Sequence, residues 1–526
     1  MEWAIRLFFV LQSVLLQLLR PVLWYLNRQR PSLVPPPKDS ILKKSAVDLA
    51  AWIRRREITS EAVVEAYICR MKEVNPLINA VVEDRFEEAL RDARRCDERL
   101  RAGEVNAVTL RTLQPLYGVP FTVKESCSLK GLSHTGCTLV RQGTKAHSDG
   151  SFVAALRKAG AIPLCVTNTP ELCSGFESAN YLYGRTNNPY DLRCSAGGSS
   201  GGEAALLGAG ASLIGVGSDL AGSIRLPALF NGVFGHKPTA GIISTNGHYP
   251  NSDSPWFRKC LVVGPMARYA EDLILAMQIV TSDSKQDLRF DQPIRIGDLK
   301  VFYVEDLGES LGSISPSKEI KGSIAKASRY LEKSGATVAE ASITIDLGDL
   351  EDIVEICFSP IFCVDSLPQI LINPDDPKHE RSSPAEIVKS FLGFSLYTKS
   401  AIFMKLVKDI RGFIPVSKAP FYEKKGEQLR QKLLETLGKD GVLICPTFPT
   451  VAGYHNNTVL QSSAAIYCAL FNVFGFPSTQ VPMGLNENGM PLGFQVVAAP
   501  NQDRLCLAVA KELEKGFGGW IPPNDK

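Results

Sequence analysis

Two glycine-serine clusters, separated by one short helical run and one short apolar run, constrain this chain more than any other feature. The first is Gly197-Gly198-Ser199-Ser200-Gly201-Gly202, and the second closes the segment Gly217-Ser218-Asp219-Leu220-Ala221-Gly222-Ser223-Ile224-Arg225. Between them Glu203 to Leu207 reads as the start of a helix and Leu213 to Val216 as a strand, so the clusters fall at joints between strands and helices. Glycines there allow close backbone approach and dihedrals that a Cβ resists, which leaves amide N–H groups able to face a developing negative charge. Upstream, Gly118-Val119-Pro120-Phe121-Thr122-Val123-Lys124 reads as an apolar strand ending on a lysine.

The alternation of strand and helix extends along the chain. A helix around Phe152 to Lys158 and the strand Ile162 to Val166 complete a βαβ unit with the strand that ends at Lys124. Helical patterns over Ser45 to Asn75, stopped by Pro76, and over Arg85 to Gly103 precede it. Farther on, Leu299 to Val304 and Val442 to Cys445 read as strands, and Ile320 to Lys333 and Lys424 to Leu437 as helices closed by Gly335 and Gly438. Ser478 to Met483 and Leu492 to Val497 flank Asn486-Glu487-Asn488-Gly489, a hairpin signal. The expected class is α/β with a mixed sheet, and with no polar linker or internal repeat, residues 45–526 are expected to form a single domain.

The first thirty residues differ from the rest. Trp3 to Leu26 is strongly apolar and long enough to span a bilayer, with no small-residue cleavage site after it, so residues 1–30 are expected to be an uncleaved membrane anchor. A Pro-rich, basic linker follows over 31–44. At 100° per residue Glu2, Arg6, Ser13, Gln17, Arg20 and Asn27 share a narrow stripe, interrupted by Phe9 and Trp24, so a spanning and an interfacial helix both fit. Arg28, Arg30, Lys38, Lys43 and Lys44 would keep the body cytosolic if the segment spans. Ser390 to Val407, rich in Phe, Leu, Ile and Met, reads either as a core helix or as a membrane-facing patch.

Net charge is +3 with both signs interspersed, which excludes the electrostatic footprint of a nucleic-acid binder. The 13 cysteines form no CxxC pair and no Cys/His cluster at zinc spacing, so buried, reduced thiols are expected and no metal. A serine hydroxyl attacks only when a neighbouring base takes its proton, and a lysine acts as that base only when neutral, a state that burial favours. Two serines in glycine clusters and a lysine at a strand end supply these parts for acyl transfer. Two other readings compete. Gly197 to Gly201 also satisfies the GxSxG elbow of an α/β-hydrolase-type esterase. However, Asp191-Leu192-Arg193-Cys194-Ser195 before it is a poor elbow strand, and no flanking pattern recommends His236, His248, His379 or His455 as base. A catalytically inactive lipid-binding protein would keep the pocket without the chemistry.

The two serine segments, with Ser199 and Ser223 24 residues apart and Lys124 99 residues before the second, resemble the amidase signature family from roughly Ser45 to the C-terminus. Within it, the apolar N-terminus, Asn187-Asn188-Pro189-Tyr190 and Gly235-His236-Lys237-Pro238 resemble the fatty-acid amide hydrolase branch, closest to its second type. The resemblance implies an amidase-signature fold, a mixed β-sheet covered by helices on both sides. It also implies Ser223 as nucleophile, Ser199 as bridging serine and Lys124 as base. The backbone amides of Leu220, Ala221, Gly222 and Ser223 would form the oxyanion hole, Cys173 would contact substrate through its backbone, and Ser200 would support the site. A cis peptide is expected at Gly198-Ser199. Alanine at 221 departs from the family's glycine and would add strain of about 1 kcal/mol if its φ were positive. Fatty-acid amides (N-acyl ethanolamines and primary fatty amides) are the substrates this implies, with no cofactor, an intracellular membrane as location through the N-terminal segment, and a homodimer by analogy. A branch that passes ammonia to misacylated tRNA fits poorly, given the apolar N-terminus and the lack of a basic face.

Overall fold

The strand patterns assemble into one large mixed sheet. A computed structural model of the chain describes residues 3–29, 31–282, 284, 286, 288–308, 313–340, 350–363 and 367–524. The sheet has eleven strands: β1 (Val81–Asp84), β2 (Pro120–Lys124), β3 (Ile162–Thr167), β4 (Ile214–Asp219), β5 (Phe234–Lys237), β6 (Val262–Ala267), β7 (Lys300–Tyr303), β8 (Thr337–Glu340), β9 (Gly441–Cys445), β10 (Ser478–Leu485) and β11 (Pro491–Ala498). Their spatial order is β1-β3-β2-β4-β6-β5-β10-β11-β9-β7-β8. Strands β2, β3, β4 and β6 are buried along their whole length, as expected where helices flank a sheet.

The topology creates the site. Strand β2 pairs in parallel with β3 on one side and β4 on the other, so the carboxyl ends of β2 and β4, at Lys124 and Asp219, lie side by side. Carboxyl ends of neighbouring parallel strands are where α/β sheets gather ligands. The first glycine-serine cluster opens the helix Gly201–Gly208, and the second, following β4, leads into Arg225–Phe230.

Three local readings change in the structure. The stretch from Ser45 to Asn75 is two helices, Ala46–Arg54 and Ser60–Ile78, capped by the side chains of Ser45 and Thr59. The second helix runs through Pro76 instead of stopping there, because Asn79, with a left-handed φ of 49°, closes it. Ser390 to Val407 is likewise not one helix. Ser383–Phe391 ends in a turn at Gly393, whose φ is 78°, before Lys399–Asp409 begins.

Helix α1 (Trp3–Leu26) is the one helix among the described residues long and apolar enough to cross a membrane. Its inner edge rests on the body: Ile5 and Phe9 are buried, Phe8 stacks on Phe403 at 5.9 Å, and Phe9 meets Phe358 edge-on at 6.0 Å. Leu7, Leu11, Leu18 and Trp24 are exposed. Glu2 and Arg30, which belong to the polar stripe and the basic flank, lie outside the described residues. The Pro-rich stretch that follows is packed. Val34 N donates to Pro189 O (3.2 Å), Leu192 N donates to Ser32 O (2.8 Å), and the buried Arg70 donates to Pro35 O (2.6 Å).

Candidate active site

Side chains alternate along a strand, so Thr122 and Lys124 leave β2 on one face. Both are fully buried. Thr122 Oγ1 donates to Glu203 Oε2 (2.5 Å) and Thr167 Oγ1 to Glu203 Oε1 (2.8 Å). Burial pushes the Glu203 carboxyl up to about 8, so this group ties β2, β3 and the helix Gly201–Gly208 together as a largely neutral acid. Lys124 Nζ lies 2.5 Å from Ser199 Oγ and 2.9 Å from Ser218 Oγ, both within hydrogen-bond reach. The Gly198–Ser199 peptide is cis, as the resemblance implied.

Ser200 links the two clusters: its amide donates to Ser223 O (3.1 Å) and its hydroxyl to Ser218 O (3.3 Å). The turn after β4 is organised by Asp219, whose carboxylate accepts from the amides of Gly222 (2.7 Å) and Ile224 (3.0 Å), from the buried Arg225 (3.0 Å) and from Asn472 (2.9 Å). Burial alone would raise the Asp219 carboxyl, but the Arg225 guanidinium outweighs it and holds the group well below the usual carboxylate range. Ala221 lies outside the left-handed region, so the strain considered for it does not arise. Gly222 takes the positive φ, 119°, and a Cβ there would sit 2.8 Å from Cys468 Cβ.

Cys173 follows Leu172 in a left-handed pair, φ 56° and 52°. Burial would raise its thiol, yet Lys124, when it carries its proton, and His248 beside it draw it down to about 5. His248 is a residue that sequence reasoning missed. Its Nε2 is 2.9 Å from Ser218 Oγ and its Nδ1 is 2.8 Å from Pro250 O, and no local motif marks it, because the contact is made across 30 residues of chain. Ser199, Ser223, Cys173 and His248, with apolar Phe257 and Met404, line a cavity of about 70 Å³. The structure thus brings Lys124, Ser199, Ser200, Ser223, Cys173 and the 220–223 turn to one place. Among the described residues no histidine is hydrogen-bonded to Ser199, the partner the esterase alternative requires, and His379 pairs with Asp376. His236 is bonded to Asp503 and Thr479, His455 to Leu192 O, and His248 to Ser218, not to Ser199. No group of three or more His, Cys, Asp or Glu side chains able to hold a metal occurs among the described residues.

The amidase family model matches residues 62–507, so the chain belongs to the amidase signature family and is a hydrolase acting on amide C–N bonds. Fatty-acid amide hydrolase 2-A of Danio rerio is 41% identical over 527 residues, covering 97% of each chain. Fatty-acid amide hydrolase 2 of Homo sapiens is 39% identical over 93% of this chain and 92% of that protein. A solved fatty acid amide hydrolase, 24% identical, superposes with a TM-score of 0.72 over 92% of this chain and 87% of that one, and so shares the fold.

Proposed function

We propose that this chain hydrolyses fatty-acid amides through a Ser-Ser-Lys relay and an acyl-enzyme. The observation that carries the reading is the buried Lys124 Nζ, 2.5 Å from Ser199 Oγ in the cavity that Ser223 also lines. Neutral Lys124 takes a proton from Ser199 as Ser199 takes one from Ser223, whose Oγ attacks the amide carbon. The backbone amides at 220–223 face the oxyanion. Gly222 already donates to Asp219, so Leu220, Ala221 and Ser223 carry the larger share. Run backwards, the relay delivers a proton to the nitrogen as the C–N bond breaks, because an unprotonated amine leaves badly. Water then cleaves the Ser223 ester and releases the acid.

The apolar wall and the names of the relatives favour fatty-acid amides, and we propose N-acyl ethanolamines and primary fatty amides among them. At about 70 Å³ the cavity accommodates the reacting carbonyl and a few methylenes. Sites that enclose a whole small ligand usually offer ~300 Å³ or more, so a long acyl chain has to displace side chains such as Met404. We read residues 1–30 as an anchor to an intracellular membrane, 31–44 as its connection and 45–526 as one catalytic domain. Phe391 and Phe394, 88% and 76% exposed, would add a second lipid contact.

The test is Ser223→Ala assayed on a panel of these amides and with a serine-reactive fluorophosphonate. Hydrolysis and labelling should both disappear with the fold intact. Labelling that persists would move the nucleophile, with Ser199 the first candidate.

A further inference from the structure

The hydroxyl and amine groups around Lys124 form a chain with a direction, and that direction originates at His248. Pro250 O can only accept, so the 2.8 Å contact with His248 Nδ1 places the ring proton on Nδ1. A ring carrying that one proton accepts at Nε2, and the 2.9 Å contact with Ser218 Oγ is then one in which Ser218 donates its O–H. A serine has a single hydroxyl proton. With that proton committed to His248, Ser218 Oγ meets Lys124 Nζ, 2.9 Å away, only as an acceptor.

This matters for a neutral amine, which has one lone pair. A Ser218 hydroxyl able to rotate would turn its proton onto that lone pair and compete with Ser199, 2.5 Å away, for the position a base must keep open. We propose that His248 is a positioning residue that acts through Ser218 to keep the lone pair of Lys124 directed at Ser199. The proposal rests on the Ser-Ser-Lys reading. His248 is well placed for this role: it is 7% exposed, its backbone bridges to Cys127, and Tyr249 N donates to Ser126 O at 2.8 Å, so it is fastened to the segment that leaves β2 just after Lys124.

The test compares His248→Leu, His248→Gln, Ser218→Ala and the double variant Ser218→Ala/His248→Leu in the full-length protein, on a short soluble amide, with melting temperatures measured in parallel. His248→Leu should lower kcat by about 10- to 100-fold, a range set by misdirected general-base catalysis, while KM stays within about twofold. Glutamine offers a carbonyl oxygen that accepts from Ser218, so His248→Gln should recover kcat to within about threefold of wild type. Once Ser218 is alanine, His248→Leu should cost nothing further, because the two act as one unit. A glutamine variant as slow as the leucine variant, or losses that multiply in the double variant, would overturn the proposal. If His248→Leu melts, His248→Gln decides the matter, since a folded glutamine variant that loses kcat by about 10-fold or more also overturns the proposal. Lys124→Ala separates the two levels of the reading. A fully active Lys124→Ala sinks the relay itself, whereas an inactive one beside a wild-type His248→Leu sinks only the role of His248.

Discussion

Thr122 Oγ1 lies 2.5 Å from Glu203 Oε2, a contact that fastens the strand ending at Lys124 to the helix that begins just after Ser199. The two groups that must stay within one hydrogen bond of each other are therefore braced from behind by a carboxyl. That brace has a pH signature.

The Glu203 carboxyl, pushed up to about 8 by burial, binds a proton in the native state that the unfolded chain, with an ordinary value of 4.5, releases. Its contribution to stability is full below the unfolded value and is lost as pH rises through about 8. Thermal unfolding of Glu203→Gln should therefore compare more favourably with wild type near pH 8.5 than near pH 5. Asp272, pushed up to about 7 by burial, adds a separate decline that the variant keeps. Parallel curves for the two proteins across this range would show that Glu203 does not titrate as described.

Lys124→Ala should slow amide hydrolysis by about 100-fold or more, and hydrolysis of a matched ester by clearly less. An alkoxide departs without the proton that a leaving amine requires. The comparison is kcat/KM on an amide and an ester of one acyl chain, and equal losses would count against Lys124 as the relay acid.

Where Lys124 carries its proton, the Cys173 thiol beside it is drawn down to about 5. Alkylation by iodoacetamide, located by mass spectrometry, should plateau above about pH 6 and fall away below about pH 5. Lys124→Met should move the midpoint upward, because it removes the ammonium that stabilises the thiolate. A midpoint near the ordinary thiol value of ~8.5 in the unmodified protein would rule the environment out.

Phe391→Asp/Phe394→Asp replaces two side chains that already face solvent, so the fold should tolerate it within about 0.5 kcal/mol each. In the full-length protein the pair should raise KM severalfold for long-chain amides presented in vesicles and leave a short soluble amide unaffected. Unchanged vesicle kinetics would rule out a lipid contact at Phe391 and Phe394. Phe403 is a poorer choice for such a substitution, because it stacks on Phe8.

Local pattern carried much of this molecule. Strand-helix alternation around the two serine clusters, the βαβ unit and the C-terminal hairpin were legible because each is written in neighbouring residues. The sheet order was not. Strand β5 lies between β6 and β10, and its pairing of His236 with Thr479 reaches across some 240 residues. Among site residues, Lys124, Ser199 and Ser223 were legible as a set in fixed order. Glu203 and His248 were not singled out, because a buried acid and a hydrogen-bonded histidine look like any other until the chain brings their partners together.

The stitching of residues 32–35 to the body, through Leu192, Pro189 and Arg70, leaves the N-terminal helix no slack. Where α1 enters lipid, the body has to tilt with it, as a keel turns with a hull and not as a buoy swings on its chain. One face of the protein is then held toward the bilayer at a fixed angle. If Phe391 and Phe394 make the proposed lipid contact, the depth they reach would follow from that angle, and a few residues of flexible insert after Gln29 would uncouple orientation from attachment.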